Sequence, residues 1–116
     1  MLEVRNLSFQ YRGAPEATLT DLSFQVPRGT VLGFLGPSGA GKSTTQKILF
    51  GLLSGYQGSV VVLDRELGEW SRELYRRIGV FLEFPYFYGR LSAADNLAYY
   101  RHFYGVGDNR AAELLD

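Results

Sequence analysis

A chain of 116 residues, 46% hydrophobic and 21% charged, is long enough to bury a substantial core and is expected to form one ordinary domain. Twelve basic residues balance twelve acidic ones, so the formal net charge is zero and composition supplies no footprint for nucleic acid or an anionic lipid surface. Without cysteine there is no disulfide framework and no thiolate metal site, and apolar runs such as Val60 to Leu63 fall far short of the roughly 20 residues a spanning helix needs.

In chain order, Leu7, Phe9 and Tyr11 alternate with Ser8 and Gln10, and Leu22, Phe24 and Val26 alternate with Ser23 and Gln25, the period of half-buried strands. RGAPEA, Arg12 to Ala17, reads as the loop joining them, and Pro27 to Gly29 as a turn. TVLGFLG, Thr30 to Gly36, is nearly all apolar, as expected of a strand buried on both faces. Thr45, Ile48, Leu49, Leu52 and Leu53 then share one helical face, which predicts a helix from Lys42 to about Leu53, ended by SGYQG. SVVVL, Ser59 to Leu63, predicts a strand; SRELYRR, Ser71 to Arg77, a short helix; and IGVFL, Ile78 to Leu82, a strand closing on Glu83. Ser92 and Asp95 form an S-x-x-D capping box opening a helix that places Leu97, Tyr100 and Tyr104 on one face and stops at Gly105. A further helix is expected from Asn109, through Ala111, Leu114 and Leu115, and the finish at Asp116 without a C-cap reads as a truncated chain.

GPSGAGKS, Gly36 to Ser43, fits the phosphate-loop pattern G-x-x-x-x-G-K-[ST] in full, between an apolar strand and an amphipathic helix as that pattern requires. Glycines at 36, 39 and 41 permit positive φ and close approach, so that consecutive amides turn toward a phosphate at a helix N-terminus. Lys42 supplies a mobile charge to the β- and γ-phosphates, Ser43 offers Mg²⁺ a hard oxygen, and Thr44 can donate to an α-phosphate. The other reading of this stretch is a glycine-rich turn.

VVVLD, Val60 to Asp64, has the form of the strand that holds Mg²⁺ in many P-loop enzymes, which would make this a compact kinase or GTPase-like domain. Asp also favours turns, and DRELGEW lacks the neighbouring acid or glycine that would make the pattern specific, so a turn is the stronger expectation.

These residues resemble the ATP-binding cassette family, the motor domains of ABC transporters, over essentially the whole chain. The landmarks are LSFQY with Tyr11, GPSGAGKSTT, the tail helix, and IGVFLEFPYFYGRLSAADNL, Ile78 to Leu97. The last aligns without gaps to the family form I-G-x-x-x-Q-x-P-x-L-Y-x-x-L-T-x-x-E-N-L. The resemblance implies an α/β P-loop ATPase core with an antiparallel β part over 1–83, and the Q-loop and start of a helical subdomain over 84–116. It further implies nucleotide contacts from Gly36, Pro37, Ser38, Gly39, Ala40, Gly41, Lys42, Ser43 and Thr44, with Tyr11 stacking on adenine. Read alone, Tyr11 is instead a core-facing strand aromatic.

Glu83 stands where the family carries its Q-loop glutamine, so the resemblance implies catalytic roles for Lys42 and Glu83 and Mg²⁺ ligation by Ser43 and Glu83. A carboxylate keeps the oxygen ligand, loses the amide donor and adds a charge. EFPYFY is similar to the corresponding segment of bacterial exporters for lantibiotic and bacitracin-type peptides. The implied cofactors are ATP and Mg²⁺. The implied partners are a transmembrane permease subunit, met through the Q-loop region with Phe84, Tyr86, Phe87 and Tyr88, and a second ATP-binding domain packed head to tail; no nucleic acid is expected.

The L-S-G-G-Q signature, an apolar strand ending in Asp-Glu and a downstream switch histidine are missing from this sequence, and His102 reads as an ordinary helix residue. ATP hydrolysis is therefore expected of the complete protein and not of these 116 residues alone. The N-terminus lacks a signal-peptide pattern, so the expected location is cytoplasmic, peripheral on the inner face of the cell membrane. A soluble cassette ATPase outside transport and a non-enzymatic nucleotide-binding fragment are the alternatives.

Overall fold

The structure, a computed structural model, describes residues 1–81, 87–104 and 113–114. It divides into two compact units, Met1–Glu73 and Leu74–Asp116. In the first, a four-stranded antiparallel sheet runs in the order β2 (Leu19–Val26), β1 (Leu2–Phe9), β3 (Gln57–Val62), β4 (Arg65–Glu66). Both outer pairings of β1 use the same inward residues: Val4 lies opposite Phe24 on one side and Val60 on the other.

The apolar pattern of β1 changes phase midway. Val4 is buried, and a strict alternation would then bury residues 6 and 8, yet Leu7 and Phe9 are the buried ones. An irregularity at Asn6, which sits at φ 50°, absorbs the extra residue and turns Leu7 and Phe9 inward. Its polar groups are met across the sheet: Ser23 Oγ accepts from the Asn6 amide at 2.8 Å, and Asp21 Oδ1 accepts from Asn6 Nδ2 at 2.6 Å. On the other flank, Gly58 at φ 94° passes so close to the Arg5 and Asn6 carbonyls that a Cβ there would collide with both.

Helix α1 (Lys42–Leu49) buries Thr44, Thr45 and Ile48, completing a core with Val4, Leu7, Phe9, Leu19, Val60, Val62 and Leu67. The predicted extension to Leu53 does not form. Gly51 adopts φ 72°, the Leu52 amide donates to Lys47 O and the Gly51 amide to Ile48 O, a Schellman stop that leaves Leu52 exposed. Thr30 to Gly36 also departs from expectation. No strand pairing involves it among the described residues, Val31 and Leu35 are 100% and 92% exposed, and the Phe34 ring lies 5.6 Å from Phe24 of β2. A strand buried on both faces takes its hydrogen bonds and cover from neighbours, which an apolar run presupposes and does not itself provide.

Leu63 and Asp64, both at positive φ, make the two-residue connection from β3 to β4. That is a type I′ hairpin turn, so the turn reading of Asp64 holds and the metal-strand reading does not. Its carboxylate pairs with Arg28 at 2.8 Å. SRELYRR forms a 3₁₀ turn, Arg72–Arg76; Ile78 to Phe81 carry no strand, and Leu82 lies outside the described residues.

In the second unit, α2 (Ala93–Tyr104) opens on the expected capping box, the Asp95 amide donating to Ser92 Oγ at 3.1 Å and that hydroxyl to the Asp95 carboxylate at 2.6 Å. The sequence pattern does not single out Asn96, which is buried. Its Oδ1 accepts from the Tyr88 amide, while Nδ2 donates to the carbonyls of Tyr88, Leu91 and Ser92, tying the segment before the helix to its first turn. Asn96→Ala takes this partner from the Tyr88 amide and the Leu91 carbonyl, while the Tyr88 and Ser92 carbonyls keep the Leu91 and Asn96 amides; hydrogen exchange at the Tyr88 amide is expected to accelerate about 30-fold, equivalent to about 2 kcal/mol of local stability. An unchanged exchange rate counts against the clamp. Gly105, Asn109, Ala111 and Leu115 lie outside the described residues, so the second tail helix does too.

Candidate phosphate-binding site

Gly36 to Ala40 form an exposed loop leading into α1. Gly39 and Gly41 adopt φ 82° and 84°, the left-handed conformation that β-carbons resist, while Gly36 serves by proximity: a Cβ there would lie 3.3 Å from the Ala40 Cβ. Gly41 has both constraints, because a Cβ on it would strike the Leu19 side chain and reach the Thr18 carbonyl at 3.0 Å. Strand β2 thus fixes where the loop ends and the helix begins.

No side chain caps α1 and no acid occupies its first turn, so its N-terminal dipole faces the loop unneutralised. Lys42 folds back into the loop, where Nζ donates to Gly36 O at 2.6 Å and Pro37 O at 2.7 Å. A positive head on a flexible stem, held by neutral carbonyls before an uncapped helix N-terminus, is suited to an anion of several charges. Ser43 is exposed at the start of the helix, whereas Thr44 is buried and its Oγ1 lies 3.2 Å from the Tyr11 hydroxyl.

The structure therefore brings together Tyr11, the loop, Lys42, Ser43 and Thr44. Tyr11 stands two residues past the end of β1, 39% exposed, its ring edge-on to Phe9 at 4.9 Å, so it is a rim aromatic and not a core one. Glu83 lies outside the described residues, as do Phe84 and Tyr86. His102 is exposed on α2, with Nδ1 3.2 Å from the Ala98 carbonyl, an ordinary helix-surface placement.

The sequence profile of the family described as ABC transporter matches residues 19–116. The chain belongs to the ABC transporter family. Among ABC relatives, a fluoroquinolones export ATP-binding protein of Mycobacterium tuberculosis is 45% identical over 115 residues, 99% of this chain and 38% of that protein. A lantibiotic transport ATP-binding protein of Streptococcus pyogenes is 39% identical over all of this chain and 48% of its own length. A solved ATP binding subunit of an ABC transporter superposes with TM-score 0.77 at 30% identity, over 93% of this chain and 44% of that one. The fold class is thus α/β of the P-loop ABC ATPase type, and the chain spans less than half the length of these relatives. The compact-kinase alternative finds no support in them.

Proposed function

We propose that this chain is the Mg-ATP-binding part of the motor subunit of an ABC exporter, working on the inner face of the cell membrane. The observation that carries the reading is the Gly36–Ser43 loop closing on the uncapped N-terminus of α1 with the Lys42 ammonium inside it. Mg-ATP fits these residues: the glycines leave room for its phosphates, the helix end and Lys42 offset their charge, and Ser43 presents an exposed oxygen for the cation. Bound Mg²⁺ would supply charge neutralisation at the phosphates. Tyr11 would stack on the base.

Export is favoured by the names of the relatives, a fluoroquinolones exporter and a lantibiotic transporter. In the complete protein, Glu83 would ligate Mg²⁺, the Q-loop region would meet a permease subunit, a second ATP-binding domain would pack head to tail, and ATP hydrolysis would drive transport. No helix among the described residues is long and apolar enough to cross a membrane.

Calorimetry with Mg-ATP on the chain tests the reading, and no detectable binding at millimolar nucleotide sinks it. For the Glu83 role, Glu83→Gln in the complete protein is expected to change hydrolysis or transport at least several-fold while ATP affinity moves by less than about two-fold, because a metal ligand near the reacting phosphate acts chiefly in the transition state. Unchanged transport by that variant removes Glu83 from the mechanism.

A further inference from the structure

A tyrosine that only stacked on a base would need its ring and nothing else. In this structure the Tyr11 hydroxyl is engaged: it lies 3.2 Å from Oγ1 of Thr44, in the first turn of α1, beyond the last glycine of the loop. Both partners are held. Phe9, itself buried, braces the Tyr11 ring edge-on, and Thr44 is buried at 7% exposure.

The neighbouring Thr45 shows what a threonine in this turn otherwise does with its proton, which it donates to Gly41 O at 3.0 Å. A hydroxyl spent in that way offers a phosphate no donor. Thr44 has one proton and two lone pairs, and a phosphate oxygen only accepts. If Thr44 is to bond a phosphate, its oxygen must be the acceptor toward Tyr11, and the phenol, the more acidic of the two hydroxyls, is the natural donor.

We propose that Tyr11 is a positioning residue for the phosphates as well as a platform for the base: its O–H donates to Thr44 Oγ1 and thereby fixes the Thr44 O–H as a donor into the loop. The relay runs from Tyr11 to Thr44 to a phosphate oxygen, each bond polarising the next. It couples the base side of the site to the phosphate side through one contact between the end of β1 and the start of α1. The proposal rests on the phosphate-site reading above and deepens it.

Inorganic tripolyphosphate with Mg²⁺ separates the two roles, because it has phosphates and no base. Affinities are measured by calorimetry for the wild-type chain, Tyr11→Phe, Thr44→Val, Thr44→Ser, the Tyr11→Phe/Thr44→Val double variant and Lys42→Ala, with a thermal melt of each. Tyr11→Phe keeps the ring and is expected to lose roughly five-fold in tripolyphosphate affinity at an unchanged melting temperature, the scale of one hydrogen bond in a charged network. Thr44→Val is expected to lose roughly ten-fold or more, Thr44→Ser to retain most of the affinity, and the double variant to bind no worse than Thr44→Val.

Tripolyphosphate affinity unchanged in Tyr11→Phe overturns the relay, and so does a double variant whose loss is the sum of the two single losses. Should Thr44→Val not fold, Tyr11→Phe against wild type decides alone. Wild-type chain that ignores tripolyphosphate, or Lys42→Ala that binds it as tightly as wild type, overturns the phosphate site itself and the relay with it. Binding lost in Lys42→Ala but intact in Tyr11→Phe sinks the relay only.

Discussion

Lys42→Ala is expected to lower the affinity of the chain for Mg-ATP by about 100-fold or more, the sum of two charge-assisted hydrogen bonds of roughly 1.5–3 kcal/mol each. The structure shows why this change should act on binding and not on folding. Among the described residues the hydrogen bonds of Nζ go to the carbonyls of Gly36 and Pro37, on an exposed loop, and Thr45, Ile48 and the Leu19 contact beneath Gly41 hold the helix without it. The melting temperature is therefore expected to move by no more than about 3 °C, as for substitutions away from the core. Those carbonyls also keep the ammonium in the loop before any phosphate arrives, so little side-chain entropy is lost on binding. Lys42→Arg restores the charge but not the compact head, and is expected to recover only part of the affinity. Mg-ATP affinity within three-fold of wild type in Lys42→Ala means that the loop is a turn and the proposed function fails.

The shape of the loop before α1 was legible because what makes it is consecutive: glycines, lysine and hydroxyls follow one another, and the helix they lead into announces itself by its own period. The Ser92–Asp95 capping box and the Asp64 turn were readable for the same reason, since a few neighbouring residues define each. What escaped was set by distant partners. The phase change in β1 depends on Ser23 and Asp21 on one side and Gly58 on the other, and Leu7, Phe9 and Tyr11 taken alone give no sign that Val4 belongs to the opposite parity. Leu49 against Leu53 as the helix end turned on Gly51, whose left-handed conformation outweighs an apolar stripe. Thr30 to Gly36 failed differently: its composition registers a capacity for burial, and pairing is a property of two segments at once. Tyr11 lay between two readings, and what decided its placement at the rim was the hydroxyl on α1, a residue far along the sequence.

Gly58→Ala is expected to be the most damaging single-methyl addition in the first unit. Two penalties combine there: a φ of 94°, disfavoured for any residue with a Cβ, and overlap with the Arg5 and Asn6 carbonyl oxygens, which are sheet backbone and cannot rotate away. Backbone strain of roughly 1–3 kcal/mol and overpacking of a similar size give about 3–5 kcal/mol in total, a large share of the stability of a small domain. The melting temperature should fall by roughly 15 °C or more. Gly55→Ala isolates the first penalty, since Gly55 sits at φ 81° and a methyl group there would meet nothing within 4 Å, and is expected to cost only about 1 kcal/mol. The difference between the two variants is then the steric contribution at the irregularity in β1. Relief of the clash would require β1 to shift against β3, which moves Leu7 and Phe9 off their inward register and displaces Tyr11 from Thr44. Tripolyphosphate affinity should accordingly drop in Gly58→Ala even at temperatures where the chain remains folded, and stay near wild type in Gly55→Ala. Equal melting temperatures for the two variants would show that β1 yields freely at Asn6 and that the sheet does not fix the position of the Tyr11 hydroxyl.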